Sequence, residues 1–210
     1  MKWITTIVLA TLLGGCSLVR ELPPVQSYYL EGNESIAASG ASCGGRVIRV
    51  ALVDAPQWLG GTVIYYTGAD QKMYRYTRAR WEEPPTAQLQ QIIENSLVAS
   101  GLFNAVVPYQ SLAKNNWLLE VRVEKMSQHI STSGSGETEL KLYAVLVDRY
   151  SRRVLAQQVF NYRNEGSKGD VQGAIDGWNR SMGLFAGDLV AWLAQECAAA
   201  PEHDSNNADL

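Results

Sequence analysis

The sequence predicts one mixed α/β domain of the α+β kind, in which a largely antiparallel sheet of about six or seven strands packs against two main helices. Three observations predict this fold class. Several segments alternate apolar and polar residues with the period of a half-buried strand. Two pairs of strand-like segments are joined by short polar turns, as in β-hairpins. Two longer segments repeat apolar residues at the three-four spacing of an amphipathic helix.

The first residues have the features of a secretory signal. Lys2 precedes a short apolar run, and small residues follow that run. At roughly ten residues the run is shorter than the about 20 that a membrane-spanning helix needs. Leu13-Gly14-Gly15-Cys16 resembles the lipobox of bacterial lipoproteins, in which the signal is cut before a cysteine that carries acyl chains such as palmitate. We therefore expect a signal peptide over 1–15 and lipid on Cys16; the alternative is an ordinary signal peptide with a chance cysteine.

The charge balance bears on the class of partner. Eighteen Lys and Arg residues against 21 Asp and Glu residues leave no dominant basic patch, so nucleic acid is not an expected partner.

The two cysteines that follow Cys16 favour a disulfide. In an oxidising periplasm Cys43 and Cys197 are expected to pair, whereas two buried free thiols are the alternative. A disulfide between these two distant positions would close a long loop and stabilise the fold by about 4 to 5 kcal/mol in the chain-entropy model.

The first half of the chain predicts a tether, a strand and a hairpin. Residues 16–26 contain two prolines and no periodicity, which predicts a tether in front of a domain over 27–198. The run Val47 to Val53 is apolar nearly throughout, as in a strand covered on both faces. Val63 to Thr67 and Lys72 to Arg78 flank a four-residue loop and predict a hairpin rich in aromatic residues.

Two helices and a second hairpin are predicted after it. Pro84-Pro85 marks the start of a helix and Gly101 its end. Trp117 to Met126 alternates cleanly and predicts a half-buried strand, and two further strands, ending near Tyr162, form a long hairpin. Apolar residues then repeat from about Asp170 to Ala198 and predict one long helix, with a break near Gly183 or Gly187 as the alternative. Residues 199–210 predict a disordered tail.

Catalytic residue patterns are missing from the sequence. His203 lies in the predicted tail, His129 has no neighbouring cysteine or acid cluster, and no metal-ligand spacing or phosphate-binding loop is present. Glu82-Glu83 has the composition of an acid/base pair, but neighbouring residues of an extended segment point in different directions and a position at a helix start accounts for both. We therefore expect no enzyme activity, no catalytic residues, no metal and no cofactor other than the covalent lipid.

An aromatic surface around the first hairpin is the main candidate for binding. Tyr, Trp and Arg are the residue types enriched at interface hot spots. The candidate partner-binding residues are Trp58, Tyr65, Tyr74, Tyr76, Arg78 and Arg80. The alternative is that the aromatic residues belong to the core, which is the interpretation we favour for Trp81.

Several segments are similar to one family of bacterial lipoproteins. They are Trp58-Leu59-Gly60-Gly61, Ala79-Arg80-Trp81-Glu82-Glu83-Pro84-Pro85, Ser100-Gly101-Leu102-Phe103, Val147-Asp148-Arg149, Asp188-Leu189 and Trp192-Leu193. Through them the chain, from about Tyr28 to Leu193, resembles the ABC-type transport auxiliary lipoproteins, the PqiC/YmbA-like proteins.

The resemblance implies an accessory lipoprotein of an MCE-type ABC transport system, which docks or organises the complex for lipid transport between the inner and outer membranes and supports membrane integrity. It implies an MCE-domain protein as partner and leaves a ring-like homo-oligomer open. The expected location is the periplasmic face of a bacterial membrane. Ser17, where inner-membrane lipoproteins often have Asp, favours the outer membrane. The alternatives are a periplasmic carrier that holds lipid in an apolar cleft and an outer-membrane assembly lipoprotein.

Overall fold

A computed structural model describes residues 23–32, 40 and 42–200. The predicted signal peptide, Cys16, His203 and residues 201–210 of the predicted tail lie outside these residues. The elements follow in the order β1 (Gln26–Tyr28), β2 (Val47–Val50), a 3-10 helix (Gln57–Gly60), β3 (Val63–Thr67), β4 (Met73–Trp81), α1 (Pro85–Ser100), β5 (Ala105–Val107), β6 (Trp117–Ile130), β7 (Ser135–Asp148), β8 (Val154–Lys168) and α2 (Val171–Ala199).

All eight strands belong to one mixed sheet, organised around β6. On one side of β6, the strands β7 and β8 follow in antiparallel order. Two parallel strands share its other edge: β2 pairs with the start of β6, through Ile48 opposite Trp117, and β3 meets its end, through Thr67 opposite His129. The sheet then branches, because β5 extends β2 whereas β4 and β1 extend β3. The predicted α+β fold with two main helices is confirmed. The sheet has eight strands, whereas the sequence predicts six or seven.

The three long strands extend beyond their predicted ends. β6 and β7 have 14 residues each and β8 has 15, and the turn between β6 and β7 is correspondingly short. The additional residues include Gln128 and Thr138, which are fully buried although they are polar. An apolar-polar pattern does not predict such positions, since their burial depends on hydrogen bonds to distant elements.

Helix α1 has the predicted bounds. It begins at Pro85 and ends before Gly101, whose φ of 63° is the left-handed conformation that a helix C-cap favours. The three-four spacing predicts a buried face that includes Leu89, Ile93 and Leu97, and all three are buried. The same spacing places Gln90 on the outer face, but Gln90 is also buried. Its side-chain oxygen accepts a hydrogen bond from the backbone of Val53, so the helix positions the chain that follows β2.

Helix α2 runs unbroken, without the alternative break near Gly183 or Gly187. Asp170 caps its start, because its carboxylate accepts a hydrogen bond of 2.8 Å from the backbone of Gly173. The buried face of the helix includes Trp178, which packs against Trp81 with ring centroids 5.5 Å apart. Trp81 is therefore part of the core, as favoured from the sequence.

A disulfide joins the loop before β2 to the end of α2. Cys43 lies in the loop before β2 and Cys197 in the last turn of α2, with Cα atoms 4.9 Å apart. Both residues are buried, and the bond connects positions 154 residues apart in sequence. Of the two alternatives for these cysteines, the structure therefore contains the disulfide.

Candidate functional site

The first hairpin places an aromatic and basic cluster on one of its faces. Trp58, from the 3-10 helix, packs edge-on against Tyr65 with ring centroids 5.9 Å apart. Tyr65 lies opposite Arg75 and Val63 lies opposite Arg80 in the register of β3 and β4. Because residues directly opposite each other share a face of a sheet, these side chains form one surface. We call Trp58, Tyr65 and Arg80 the hairpin face, and Arg75 lies beside it towards the tip of the hairpin.

Three tyrosines form a second cluster on the other face of the hairpin. Consecutive residues of a strand point to opposite faces, so Tyr66 lies on the face opposite Tyr65. Its ring lies 5.4 Å from that of Tyr74 and 4.7 Å from that of Tyr76. Tyr74 and Tyr76, two predicted partner-binding residues, are therefore separated from the hairpin face. Tyr66 was absent from the predicted set, although strand alternation alone was sufficient to find it.

Tyr76 has a structural connection to the start of α2. Its hydroxyl donates a 2.7 Å hydrogen bond to the side chain of Gln128, whose amide donates to the backbone carbonyl of Asp170. Burial raises the pKa of the Tyr76 hydroxyl far above its usual range. The residue therefore remains neutral and links the hairpin to the helix, which leaves little of its polar group for a partner.

Tyr74 and the two other predicted arginines are more accessible. The Tyr74 hydroxyl donates to the Asp70 carboxylate at 2.7 Å, and this hydrogen bond raises the pKa of Tyr74 and lowers that of Asp70. Arg80 donates to the hydroxyl of Ser27 in β1. The Arg78 side chain is exposed and forms no ion pair with the described residues, so its charge is available.

The sheet face opposite the helices carries a network of charges on β6, β7 and β8. The nearly buried Glu139 carboxylate lies 2.6 Å from the Lys125 ammonium and 3.2 Å from the Arg163 guanidinium. Burial alone would raise the pKa of Glu139, but the hydrogen bond and charge of Lys125, together with Arg163, outweigh it and lower the pKa. The network connects three strands at the surface of the sheet.

Glu139→Gln should lower the free energy of unfolding by about 1 kcal/mol at pH 7, since both cations are partly exposed and solvent weakens the pairs. Because the folded-state pKa of Glu139 is depressed, its contribution is present above the unfolded-state value of about 4.3 and is lost as the pH falls through the folded value. Urea unfolding of both proteins at neutral and acidic pH measures this difference. Glu137→Gln is the matched control, since its carboxylate is more exposed and lies 4.0 Å from Arg163. A difference that does not shrink in acid would contradict the assignment.

A groove of about 840 Å³ lies between the segment after β1 and helix α1. Its lining is about equally polar and apolar, with Glu31, Gln88, Gln91 and Asn95 beside Leu30 and Ile92. This composition differs from the mostly apolar clefts that bind hydrophobic ligands. Residues 33–39, which follow the groove's edge at Gly32, lie outside the described part of the chain.

The described residues contain no cluster of His, Cys, Asp and Glu that could hold a metal ion. His129 is half-buried near the end of β6, opposite Glu137 in β7. In the same part of the chain, no helix has the length and apolar character needed to cross a membrane.

Solved structures with this fold come from several bacteria. A Xanthomonas campestris protein of the DUF330 family is 16% identical, with a TM-score of 0.68 over 84% of this chain and 95% of its own. An uncharacterized protein is 18% identical, with a TM-score of 0.56 over 83% and 99%. A hypothetical protein from Chlamydia trachomatis is 7% identical, with a TM-score of 0.51 over 74% and 99%. At these identities the likeness concerns the fold.

Sequence comparison identifies the family. No curated protein matches the chain significantly. A family model described as the ABC-type transport auxiliary lipoprotein component matches residues 28–190, which run from the end of β1 through α1 and into α2. The match covers most of the chain and nearly all of the described domain, in agreement with the resemblance stated from the sequence. The chain therefore belongs to the family of ABC-type transport auxiliary lipoproteins.

Proposed function

We propose that the protein is a periplasmic lipoprotein subunit of an MCE-type ABC transport system. Lipid on Cys16 anchors it, and we assign the anchor to the outer membrane rather than to the inner one. The protein docks or organises the complex for lipid transport between the membranes and thereby supports membrane integrity. The observation that carries this proposal is the match of residues 28–190 to the auxiliary lipoprotein family. The role is that of a binding protein rather than an enzyme.

The hairpin face is the surface that we assign to the MCE-domain partner. Its two aromatic rings contact each other, Arg80 lies on the same face, and Arg78, two positions earlier in β4, is exposed and forms no ion pair with the described residues. Aromatic side chains offer large apolar areas at low entropy cost, and arginines offer several donors to acidic groups. The partner surface that fits is therefore apolar at its centre and acidic at its rim. A homo-oligomer would present several copies of this face to one partner.

Cys16→Ala should leave the domain folded but release it from the membrane and abolish its function. The acyl chains supply the anchoring, since each buried methylene contributes about 0.8 kcal/mol, and the disulfide-linked domain does not include residue 16. Membrane fractionation measures the release, and detergent sensitivity of cells that carry only the variant measures function. Circular dichroism of the purified variant checks folding. Full function of a folded, released variant would contradict the role of the anchor.

Photo-crosslinking in cells tests the partner assignment. A photoreactive side chain in place of Tyr65 should capture an MCE-domain protein, whereas the same group in place of Val159, an exposed apolar position on the edge strand β8, should not. Capture at neither position, with intact lipid homeostasis in a strain that lacks the protein, would overturn the proposed function.

A further inference from the structure

We propose that the tip of the β3–β4 hairpin touches the lipid headgroups of the membrane that holds the anchor. The tip surface consists of Ala69, Lys72, Met73, Tyr74 and Arg75. This inference rests on the lipid at Cys16, which belongs to the proposed function. It goes further because it gives the domain an orientation on the membrane and assigns a bilayer surface, rather than a protein, to Tyr74 of the second aromatic cluster.

The register of β1 gives the direction in which the chain leaves the domain. β1 runs parallel to β4, with Gln26 opposite Ala79 and Tyr28 opposite Trp81. The residues that precede Gln26 therefore run back along β4 towards its first residue, Met73, at the hairpin tip. Pro23-Pro24 favours an extended chain in this segment, and both residues are exposed. The tether thus leaves the domain on the side of the hairpin tip.

The length of the tether brings the tip close to the bilayer. From Ala79 back to Met73 the strand covers six residues, or about 20 Å. The ten residues from Cys16 to Gln26 span at most about 33 to 36 Å when extended. A fully extended tether therefore reaches only about 15 Å beyond the tip, which is comparable to the headgroup layer and its water. Any bend in the tether brings the tip nearer.

The tip surface has the chemistry of the membrane interface. Met73 and Tyr74 are 55% and 40% exposed although they are large and apolar, and Tyr66 stacks beneath Tyr74. Tyrosine is enriched at the headgroup level because its ring is apolar and its hydroxyl is polar. Asp70 holds the tip in shape by accepting hydrogen bonds from the Tyr74 hydroxyl and the Lys72 backbone.

Charge at the tip favours anionic lipid. Lys72 pairs with Asp70 at 3.3 Å, so these two charges compensate each other. Arg75 is exposed and has no ion-pair partner among the described residues, which leaves the tip surface with a net positive charge. The neighbouring turn between β6 and β7, residues 131–134, contains only Ser, Thr and Gly and therefore adds no charge of its own.

Fluorescence quenching in proteoliposomes tests the contact. The full mature lipoprotein, labelled with a fluorophore at Ala69→Cys, is reconstituted into vesicles of phosphatidylethanolamine and phosphatidylglycerol that contain a headgroup-nitroxide lipid. Lys114→Cys is the control site, because it lies in the loop before β6, about 40 Å from the hairpin end of that strand. We expect several-fold stronger quenching at position 69 than at position 114.

A second pair of variants tests the residues themselves. Met73→Glu should reduce the quenching at position 69 several-fold, whereas Val98→Glu, which changes an exposed apolar residue on α1, should not. Equal quenching at positions 69 and 114, in protein that floats with the vesicles, would overturn the inference and leave the proposed function intact. If the fluorescence at position 69 changes only at high protein density, the tip contacts other copies of the protein rather than lipid. That result would also overturn the inference. Protein that does not float would overturn the anchor together with this inference.

Discussion

Loss of the Cys43–Cys197 disulfide should lower the free energy of unfolding by roughly 4 to 5 kcal/mol, the largest effect that we expect from a change at one site. The bond closes a loop of nearly the whole domain, and in the chain-entropy model the stabilisation increases with the length of the closed loop. A typical domain has a total stability of about 5 to 15 kcal/mol, so the reduced protein should be close to unfolding at 37 °C.

Guanidinium unfolding of the oxidised protein and of the Cys43→Ala/Cys197→Ala double variant measures this effect. The double variant is preferable to a single one because it leaves no unpaired thiol. Both cysteines are buried, so part of the loss will come from apolar contacts rather than from the crosslink. Chemical reduction of the unchanged protein separates the two contributions. A loss below about 1 kcal/mol on reduction would mean that the denatured chain is already constrained by other contacts.

Gly177→Ala should destabilise the protein by about 1 to 3 kcal/mol, although alanine is the better helix former. Gly177 lies where α2 crosses β7. A methyl group at this position would overlap the hydroxyl oxygen of Thr138 and come within 3.0 Å of its methyl carbon. Thr138 is fully buried, and its hydroxyl accepts a hydrogen bond from Asn164, so it has little freedom to move. The helix would have to move away from the sheet.

Gly187→Ala is the matched control for this prediction. Gly187 lies in the same helix with open space around the position of an added methyl group. The substitution should therefore stabilise the protein by about 0.5 to 1 kcal/mol through helix propensity alone. Thermal unfolding of both variants compares the signs. Stabilisation by both substitutions would show that the contact between α2 and β7 is looser than the structure indicates.

The sequence predicts elements well where single residues mark their ends. Pro85 and Gly101 bound α1 as expected, because proline fits the first turn of a helix and glycine adopts the left-handed conformation after the last. The far ends of β6 to β8 escaped prediction for a physical reason. Gln128 and Asn164 are polar, and they are accommodated there by hydrogen bonds to the backbone of Asp170 and Gly177, which lie far away in sequence.

The sequence shows which aromatic and basic residues the first hairpin carries, but it does not predict which of them share a face. Simple alternation places Tyr74, Tyr76 and Arg80 on one face of β4, since their numbers have the same parity. The register between β3 and β4 shifts between Val63 and Tyr65, so Arg80 lies on the opposite face from the two tyrosines. An irregularity of this kind depends on how two strands pair, and the residues of one strand do not encode it.

The parallel pairing of β1 with β4 has a mechanical consequence. A force between the domain and the chain that precedes β1 would load that chain along the axis of β1. The hydrogen bonds between β1 and β4 lie across that direction. So do two further bonds: the Tyr28 carbonyl accepts from the Glu82 backbone, and the Leu30 backbone donates to the Gln88 side chain. They are therefore strained in shear and must break together, rather than one after another as in peeling. Three residues of strand thus suffice to transmit force from the preceding chain to the sheet.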